Sequence, residues 1–538
     1  MTLTNRRDFL RQTSLSAVCL SALRGQDAKF VVADTTFGKI RAIDNAGIKT
    51  FKGIPYAATT AGQNRFMPPA DPAKWTGVRD ALEFGHSAPQ RDPSVAPAGG
   101  GLGVAAQNLP AEGEDCLVLN VWTPALNDNR KRPVMFWCHG GGFATGSGSS
   151  PDTDGTNLAR RGDVVVVTIN HRLNVLGFAN LSEFSRDFAS SGDNGMLDIV
   201  HALRWVRANI GHFGGDPNTV MIFGQSGGGR KVETLLAMPS AKGLFHRATI
   251  ESGAALQVAG RDVAMRNAEQ LLAKLGIAKS DVRHLQKLPV EKIMAAYFAV
   301  VRDQPGIDQT VSGFVPSVDG KILPQHPFQP AASSVSAEVP IMIGNTRTEM
   351  TLFSANDADA FRLNDDGLQT RVRGLLGANA PEMIALYRKL NPSATPSDIY
   401  FLIASDYRYG APTVKIAERR AALGKGPVFL YYFKWETPVQ GGRLKSPHTM
   451  EIPFAFDNVK ISARLTGGGP EAMALADKLS DTWIAFARTG DPNNAKIPHW
   501  PAFTSTERAT MVMDNTCEVV KDPLREQRIA MFRAMNLT

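Results

Sequence analysis

Apolar and polar positions follow two rhythms along this chain. Short apolar, β-prone runs recur at Phe30-Val31-Val32, Val118 to Trp122, Val134 to Cys138, Asp163 to Asn170, Asn218 to Phe223, Ala248 to Glu251, Val339 to Ile343 and Val428 to Phe433. Their continuous apolarity predicts strands buried on both faces. Between them, Met196 to Asn209 has helical spacing, with Leu197, Val200, Leu203, Trp205 and Val206 apolar, and Lys231 to Met238 also reads as a helix. Strands alternating with helices predict an α/β fold, a mostly parallel sheet covered on both faces. The stretches 260 to 335 and 355 to 425 are richer in helical pattern and read as large insertions that roof a site.

The first residues break this rhythm. Asn5-Arg6-Arg7-Asp8-Phe9-Leu10-Arg11 is a twin-arginine pattern, and a short apolar run, Leu15 to Leu23, follows it. This is the layout of a bacterial export signal, so residues 1–28 are expected to be a twin-arginine signal peptide addressed to the twin-arginine export machinery. The expected location is the periplasm or the outside of the cell. The apolar run is far shorter than the ~20 residues that span a bilayer, so no stable membrane insertion is expected.

The remaining length, 29–538, is expected to form one domain. Composition is globular, 43% hydrophobic and 20% charged over 538 residues, with ample core. No repeat, charge block or Pro/Ser linker divides it, and the Gly/Pro/Ala-rich stretch Pro93 to Glu112 reads as a long loop. The net charge of +8 is spread without a Lys/Arg run or basic-aromatic interleaving, which argues against a nucleic-acid partner. Of four cysteines, Cys19 lies in the leader, leaving Cys116, Cys138 and Cys517. With no C-x-x-C and no Cys/His cluster, neither a metal site nor an essential disulfide is expected.

The chemistry concentrates at Phe223-Gly224-Gln225-Ser226-Gly227-Gly228-Gly229. A serine on a strand-to-helix turn, with glycine two residues to either side, is the nucleophile-elbow pattern. A Cβ at either flank would collide with the neighbouring strand or helix, and the strained turn favours glycine. The helix N-terminus points partial positive charge at the Ser226 hydroxyl.

A serine hydroxyl needs a base. Of ten histidines, His448 stands in a loop, Gly441 to His448, after a strand and C-terminal to Ser226, the chain order that such an elbow calls for. The orienting carboxylate is expected between them at a strand end. Glu349, on the loop that leaves Ile341 to Gly344, fits best, and Asp319 in Val318-Asp319-Gly320 is the second choice. His139-Gly140-Gly141-Gly142-Phe143 follows the strand ending at Cys138 and matches an oxyanion loop of the HGGG type. Neither a phosphate-loop Gly-Lys-Ser/Thr nor G-x-G-x-x-G occurs there.

Together with Phe51 to Ala57, Arg65 to Pro69, Glu114 to Pro124, Phe213 to Pro217 and Phe486 to Asn493, these motifs resemble the type-B carboxylesterase/lipase family of the α/β-hydrolase fold, which includes the cholinesterases. The similarity runs from about Val31 to Phe503. It implies a cofactor-free serine carboxylesterase with Ser226 as nucleophile, His448 as base and Glu349 as acid. It also implies an oxyanion hole from the N–H groups of Gly141, Gly142 and Gly227. Gln225-Ser226-Gly227 departs from the family's Glu-Ser-Ala, the loop from Ala88 to Cys116 lacks a tryptophan, and Met350 stands where a glycine is common. Ala88 replaces the family's partner cysteine, which leaves Cys116 unpaired. A quaternary ammonium needs an aromatic face, so neutral short-to-medium esters are expected over choline esters. Two other readings stay open: the same chemistry on a carbamate, lactone, amide or acyl-transfer substrate, and a non-catalytic esterase-like binding module.

Overall fold

A computed structural model describes residues 29–93, 110–304 and 313–537. The expected leader and most of the Pro93 to Glu112 loop lie outside the described residues.

The expected runs form one 13-stranded sheet. Its strands are β1 (Phe30–Asp34), β2 (Lys39–Asn45), β3 (Ile48–Pro55), β4 (Val78–Asp80), β5 (Val118–Thr123), β6 (Arg132–Cys138) and β7 (Val165–Ile169). They continue with β8 (Gly215–Gln225), β9 (Arg247–Glu251), β10 (Ile341–Thr346), β11 (Val428–Phe433), β12 (Ala509–Met513) and β13 (Glu518–Lys521). The spatial order is β1-β2-β3-β5-β7-β6-β8-β9-β10-β11-β12-β13, with β4 beside β2. From β7 to β12 every neighbouring pair runs parallel. The β1-β2-β3-β5-β7 side and the β12-β13 edge are antiparallel.

The unbroken apolarity of the central strands has its cause in burial on two faces. Along β6 and β8, Val134, Phe136, Val220 and Ile222 join one core cluster. Their sequence neighbours Met135, Trp137, Met221 and Phe223 join the other. The Asn194–Asn209 helix covers the first face through Met196, Ile199 and Leu203. The Pro470–Thr489 helix covers the second through Leu475, Leu479 and Trp483. Truncating a buried leucine or methionine here to alanine costs about 2–5 kcal/mol.

The insertions differ from one another. Residues 355 to 425 are helical, with helices Asp365–Leu376, Ala380–Leu390, Pro396–Ser405 and Ala411–Ala421, and they hold a third apolar cluster around Leu368, Ile384 and Ile403. In the first stretch, helices Arg261–Leu275 and Val290–Arg302 form, but residues 313 to 335 are bends and turns rather than helix. Pro316, Pro324, Pro327 and Pro330 account for this correction, since each removes a backbone donor and clashes with a preceding helical turn.

Parallel strands bring their C-terminal ends to one edge. In the order β6-β8-β9-β10-β11, the segments leaving that edge are the 139–143 loop, the Ser226 turn, Ser252, the 347–349 turn and the loop to His448. Ligands in such sheets bind beyond the carboxyl ends of the strands. Among the described residues no helix is long and apolar enough to cross a membrane.

Candidate active site

Ser226 sits between β8 and the Gly227–Ala237 helix with φ 58° and ψ −123°, a conformation that non-glycine residues rarely hold. Its neighbours over-determine it. The Ser226 N–H donates to Glu251 O at 2.8 Å, and its carbonyl accepts from Arg230 N at 3.1 Å. A Cβ on Gly228 would lie 2.0 Å from Cys138 O, and one on Gly224 would lie 2.6 Å from the same atom. Those glycines let the helix descend onto β6. Between Val220 and Met238, Ser226 alone is half-buried and the rest are buried.

Beside it, the 139–143 loop rises from β6 and returns. His139 and Phe143 are buried, Gly140 and Gly142 are half-buried, and Gly141 is exposed. Gly141 and Gly142 have φ of 85° and 62°, in the left-handed region that favours glycine. Every carbonyl of the loop has a partner inside the protein. His139 O and Gly142 O accept from Lys231 Nζ at 2.8 and 2.9 Å. Gly140 O lies 2.8 Å from His139 Nδ1, and Gly141 O accepts from Thr145 N at 3.0 Å. By contrast, the N–H groups of Gly141, Gly142 and Gly227 make no backbone hydrogen bond among the described residues. Gly142 packs on Gly227 so closely that a Cβ on Gly227 would lie 2.4 Å from Gly142 N.

The acid–base side is assembled from side chains. Glu349, fully buried, places Oε2 2.5 Å from His448 Nδ1, and its Oε1 accepts from Thr346 N at 2.7 Å. In the tautomer that donates Nδ1–H to the carboxylate, Nε2 keeps its lone pair. The two loops are laced together: Thr348 N donates to Ser446 O at 3.0 Å, Ser446 N to Thr348 Oγ1 at 2.9 Å, and Thr351 Oγ1 to Leu444 O at 2.7 Å. The imidazole is also flanked by the Phe353 and Tyr409 rings, each with its centroid 4.9 Å away. Tyr409 belongs to a π-helical turn, Asp406–Gly410, a kind of irregularity that recurs at functional sites.

His448 reaches the elbow through Gln225, whose Nε2 lies 3.2 Å from His448 Nε2 and 3.4 Å from Nδ1. No hydrogen bond joins Ser226 Oγ to His448 among the described residues. Such contacts are commonly loose without substrate and tighten in the reacting complex. Asp319, the second choice for the carboxylate, is elsewhere: its Oδ1 accepts from the N–H groups of Lys321, Ile322 and Leu323, which makes it a turn residue.

Further carboxyls lie beneath the site. Ser252 Oγ donates to Glu451 Oε1, and Trp483 Nε1 donates to Glu251 Oε1 at 2.7 Å. Burial pushes the Glu251 carboxyl up to about 8 and Glu451 well above its ordinary value. Sequence reasoning did not find Lys231, Phe353, Tyr409 or Glu451. Only Lys231 left a trace in the sequence, as a charged residue on a short helix that packs against the sheet. No group of three or more metal-ligating side chains occurs among the described residues.

This arrangement offers a partly exposed serine, a histidine oriented by a buried carboxylate, and three N–H groups on adjoining backbone without a backbone partner among the described residues, the parts needed for acyl transfer. Comparison with known proteins agrees. The family model described as the carboxylesterase family matches residues 29–532. A para-nitrobenzyl esterase of Bacillus subtilis (strain 168) is 36% identical over 93% of this chain and 98% of its own. A phenmedipham hydrolase of Pseudarthrobacter oxydans is 33% identical over 93% and 98%. Among solved structures, a Geobacillus stearothermophilus carboxylesterase superposes with a TM-score of 0.80 at 39% identity, covering 93% of this chain and 99% of that one.

Proposed function

This chain belongs to the carboxylesterase family and is a carboxylic ester hydrolase of the α/β-hydrolase fold, and on that premise we propose that it cleaves neutral short-to-medium esters through Ser226, His448 and Glu349. Ser226 Oγ attacks the ester carbonyl while His448 Nε2 takes its proton. The oxyanion forms where the N–H groups of Gly141, Gly142 and Gly227 converge, and it gains there because these donors need no reorganisation. The C–O bond to the alcohol breaks as His448 returns the proton to the leaving oxygen. Water then repeats the attack on the acyl-enzyme, and the acid leaves. Glu349 holds the imidazole in the required tautomer and stabilises its cation.

The observation that carries this reading is the buried Glu349–His448 pair at 2.5 Å, on the sheet edge where Ser226 stands. Substrate neutrality rests on Gln225, whose uncharged amide meets His448 where a carboxylate would attract a cation. The absence of tryptophan from Ala88 to Cys116 supports it as well. The test is kcat/KM on the isosteric pair butyrylcholine and 3,3-dimethylbutyl butyrate. The neutral ester should be preferred, and a preference for the cation would contradict the assignment.

The leader, residues 1–28, is proposed to direct export by the twin-arginine route, with 29–538 as the exported domain. Arg6-Arg7 ahead of the Leu15 to Leu23 run supports this. Changing both arginines to lysine should leave active precursor in the cytoplasm, and undiminished periplasmic activity would argue against it.

A further inference from the structure

Lys231 lies in the first turns of the elbow helix, and its side chain is fully buried. A charge is rarely found in such a place unless it is paired. Among the described residues no carboxylate acts on its charge; the groups around it are the Cys138 thiol, the His139 and His171 rings and the Phe143 ring, whose centroid is 5.7 Å away. Among the described residues its hydrogen-bond partners are two backbone oxygens, His139 O at 2.8 Å and Gly142 O at 2.9 Å. These oxygens bracket the glycine loop. In a planar trans peptide the N–H points opposite to the C=O, so an inward-held carbonyl turns the N–H of the same peptide outward. The two central peptides are held by His139 Nδ1 and Thr145 N. Among the described residues the two flanking peptides are held by Lys231 alone.

Resting on the assignment of Gly141 and Gly142 as oxyanion donors, we propose that Lys231 is a positioning residue for ester hydrolysis, an internal cation that clamps both ends of the oxyanion loop through His139 O and Gly142 O. Gly227 is its steric counterpart. With a Cβ there, the Gly142 backbone would be 2.2 to 2.4 Å away, and the loop would have to lift beyond the ammonium's reach. The clamp acts twice. It anchors the two peptides that flank those carrying the Gly141 and Gly142 N–H groups, and it puts a positive charge beneath the point where the oxyanion's negative charge develops, in a medium that screens little.

Burial pushes the Lys231 ammonium down to about 7. The titratable groups facing it are Cys138 and His139 from the end of β6 and His171 after β7. Their own burial, and after it the lysine charge, hold both histidines well below the ordinary imidazole range. The charge on the clamp is therefore complete in mildly acidic solution and fades as pH rises.

The test compares Lys231→Met, which keeps the length and removes the donors, with Lys231→Arg, which keeps charge and donors. Kinetics on p-nitrophenyl butyrate are read beside the affinity of phenylboronic acid, whose tetrahedral serine adduct uses the oxyanion site. Lys231→Met is expected to lower kcat about ten- to a hundredfold, below the loss from deleting an oxyanion donor itself. KM should hold within about twofold, because only the transition state is affected. Boronate affinity should fall with kcat, and Lys231→Arg should recover part of both. The ratio of wild-type to Lys231→Met kcat should narrow between pH 6 and pH 9, which a filler role would not produce. If the methionine variant does not fold, Lys231→Leu, which also lacks a donor, is read the same way. Unchanged kcat and boronate affinity in the recovered variant overturn the proposal, as does a change confined to KM. Ser226→Ala, run in parallel, separates the outcomes: if it retains activity the underlying triad reading fails, and if it is inactive only the clamp is in question.

Discussion

Around Ser226 the working parts are main-chain atoms; around His448 they are side chains. The elbow and the 139–143 loop present N–H groups, and their shape is set by what a Cβ would strike. The 347–349 turn and the loop to His448 present a carboxylate and an imidazole, with the Phe353 and Tyr409 rings beside them, and the Thr348 and Thr351 hydroxyls tie the two loops across gaps of 93 to 98 residues. Backbone strain occurs on both sides. Ser226 carries it in the first, and Lys445 at φ 54° and Thr449 at φ 75° carry it in the second, while Gly141, Gly142, Gly441 and Gly442 adopt positive φ without steric cost. One half of the site is therefore fixed by the close approach of main chain to main chain, and the other by pairings between side chains.

Breaking the chemistry that joins the halves should have the largest effect. Ser226→Ala and His448→Ala are each expected to lower kcat by on the order of 10⁴ to 10⁶, with Glu349→Gln closer to the lower figure. The triple variant should be little worse than Ser226→Ala, because the residues act as a unit. Circular dichroism should show all of them folded. Asp319→Asn should keep wild-type kcat, and a dead Asp319→Asn beside an active Glu349→Gln would relocate the carboxylate.

Next comes a test of the steric half. Gly228→Ala puts a methyl 2.0 Å from Cys138 O, and separating the elbow helix from β6 should cost about 1–3 kcal/mol with loss of most activity. The same change at exposed Gly374, within a helix and with open space around it, should add about 0.5–1 kcal/mol of stability. Urea melts of the two variants read both signs, and equal effects would show that the elbow is not sterically determined.

This contrast also explains what the sequence could reveal. The parallel sheet was legible because β6 and β8 are apolar on both faces, which only a doubly covered strand allows. Ser226 and His139 to Phe143 were legible because tight backbone leaves a local signature in glycine. Glu349 and His448 were reachable through chain order and family resemblance, while nothing local pointed to Phe353 or Tyr409, whose ring contacts with His448 form only in the fold. Lys231 was hidden for another reason. A lysine on a helix ordinarily faces water, and only the packed structure turns it inward. The 313 to 335 stretch read as helical from its apolar spacing, but its prolines decided otherwise.

The smallest predicted effect concerns the carboxyls beneath the elbow. Glu251, at about 8 in the fold against an ordinary 4.5, keeps a proton that the unfolded chain releases. Stability should therefore fall as pH rises from 4.5 to 8. Glu251→Gln cannot ionise and can still accept from Trp483 Nε1, so its Tm should gain on the wild type across that window. Tm–pH curves that stay parallel would show that this carboxyl titrates normally.

The central claim, that Ser226 carries the acyl group, has a direct measurement. The enzyme is mixed with p-nitrophenyl butyrate, quenched in acid within the first turnover, digested and examined by mass spectrometry. A burst of one p-nitrophenol per active site and a butyryl group on the peptide containing Ser226 are expected, both absent from Ser226→Ala. A butyryl group on any other residue, or full turnover by Ser226→Ala, would contradict it.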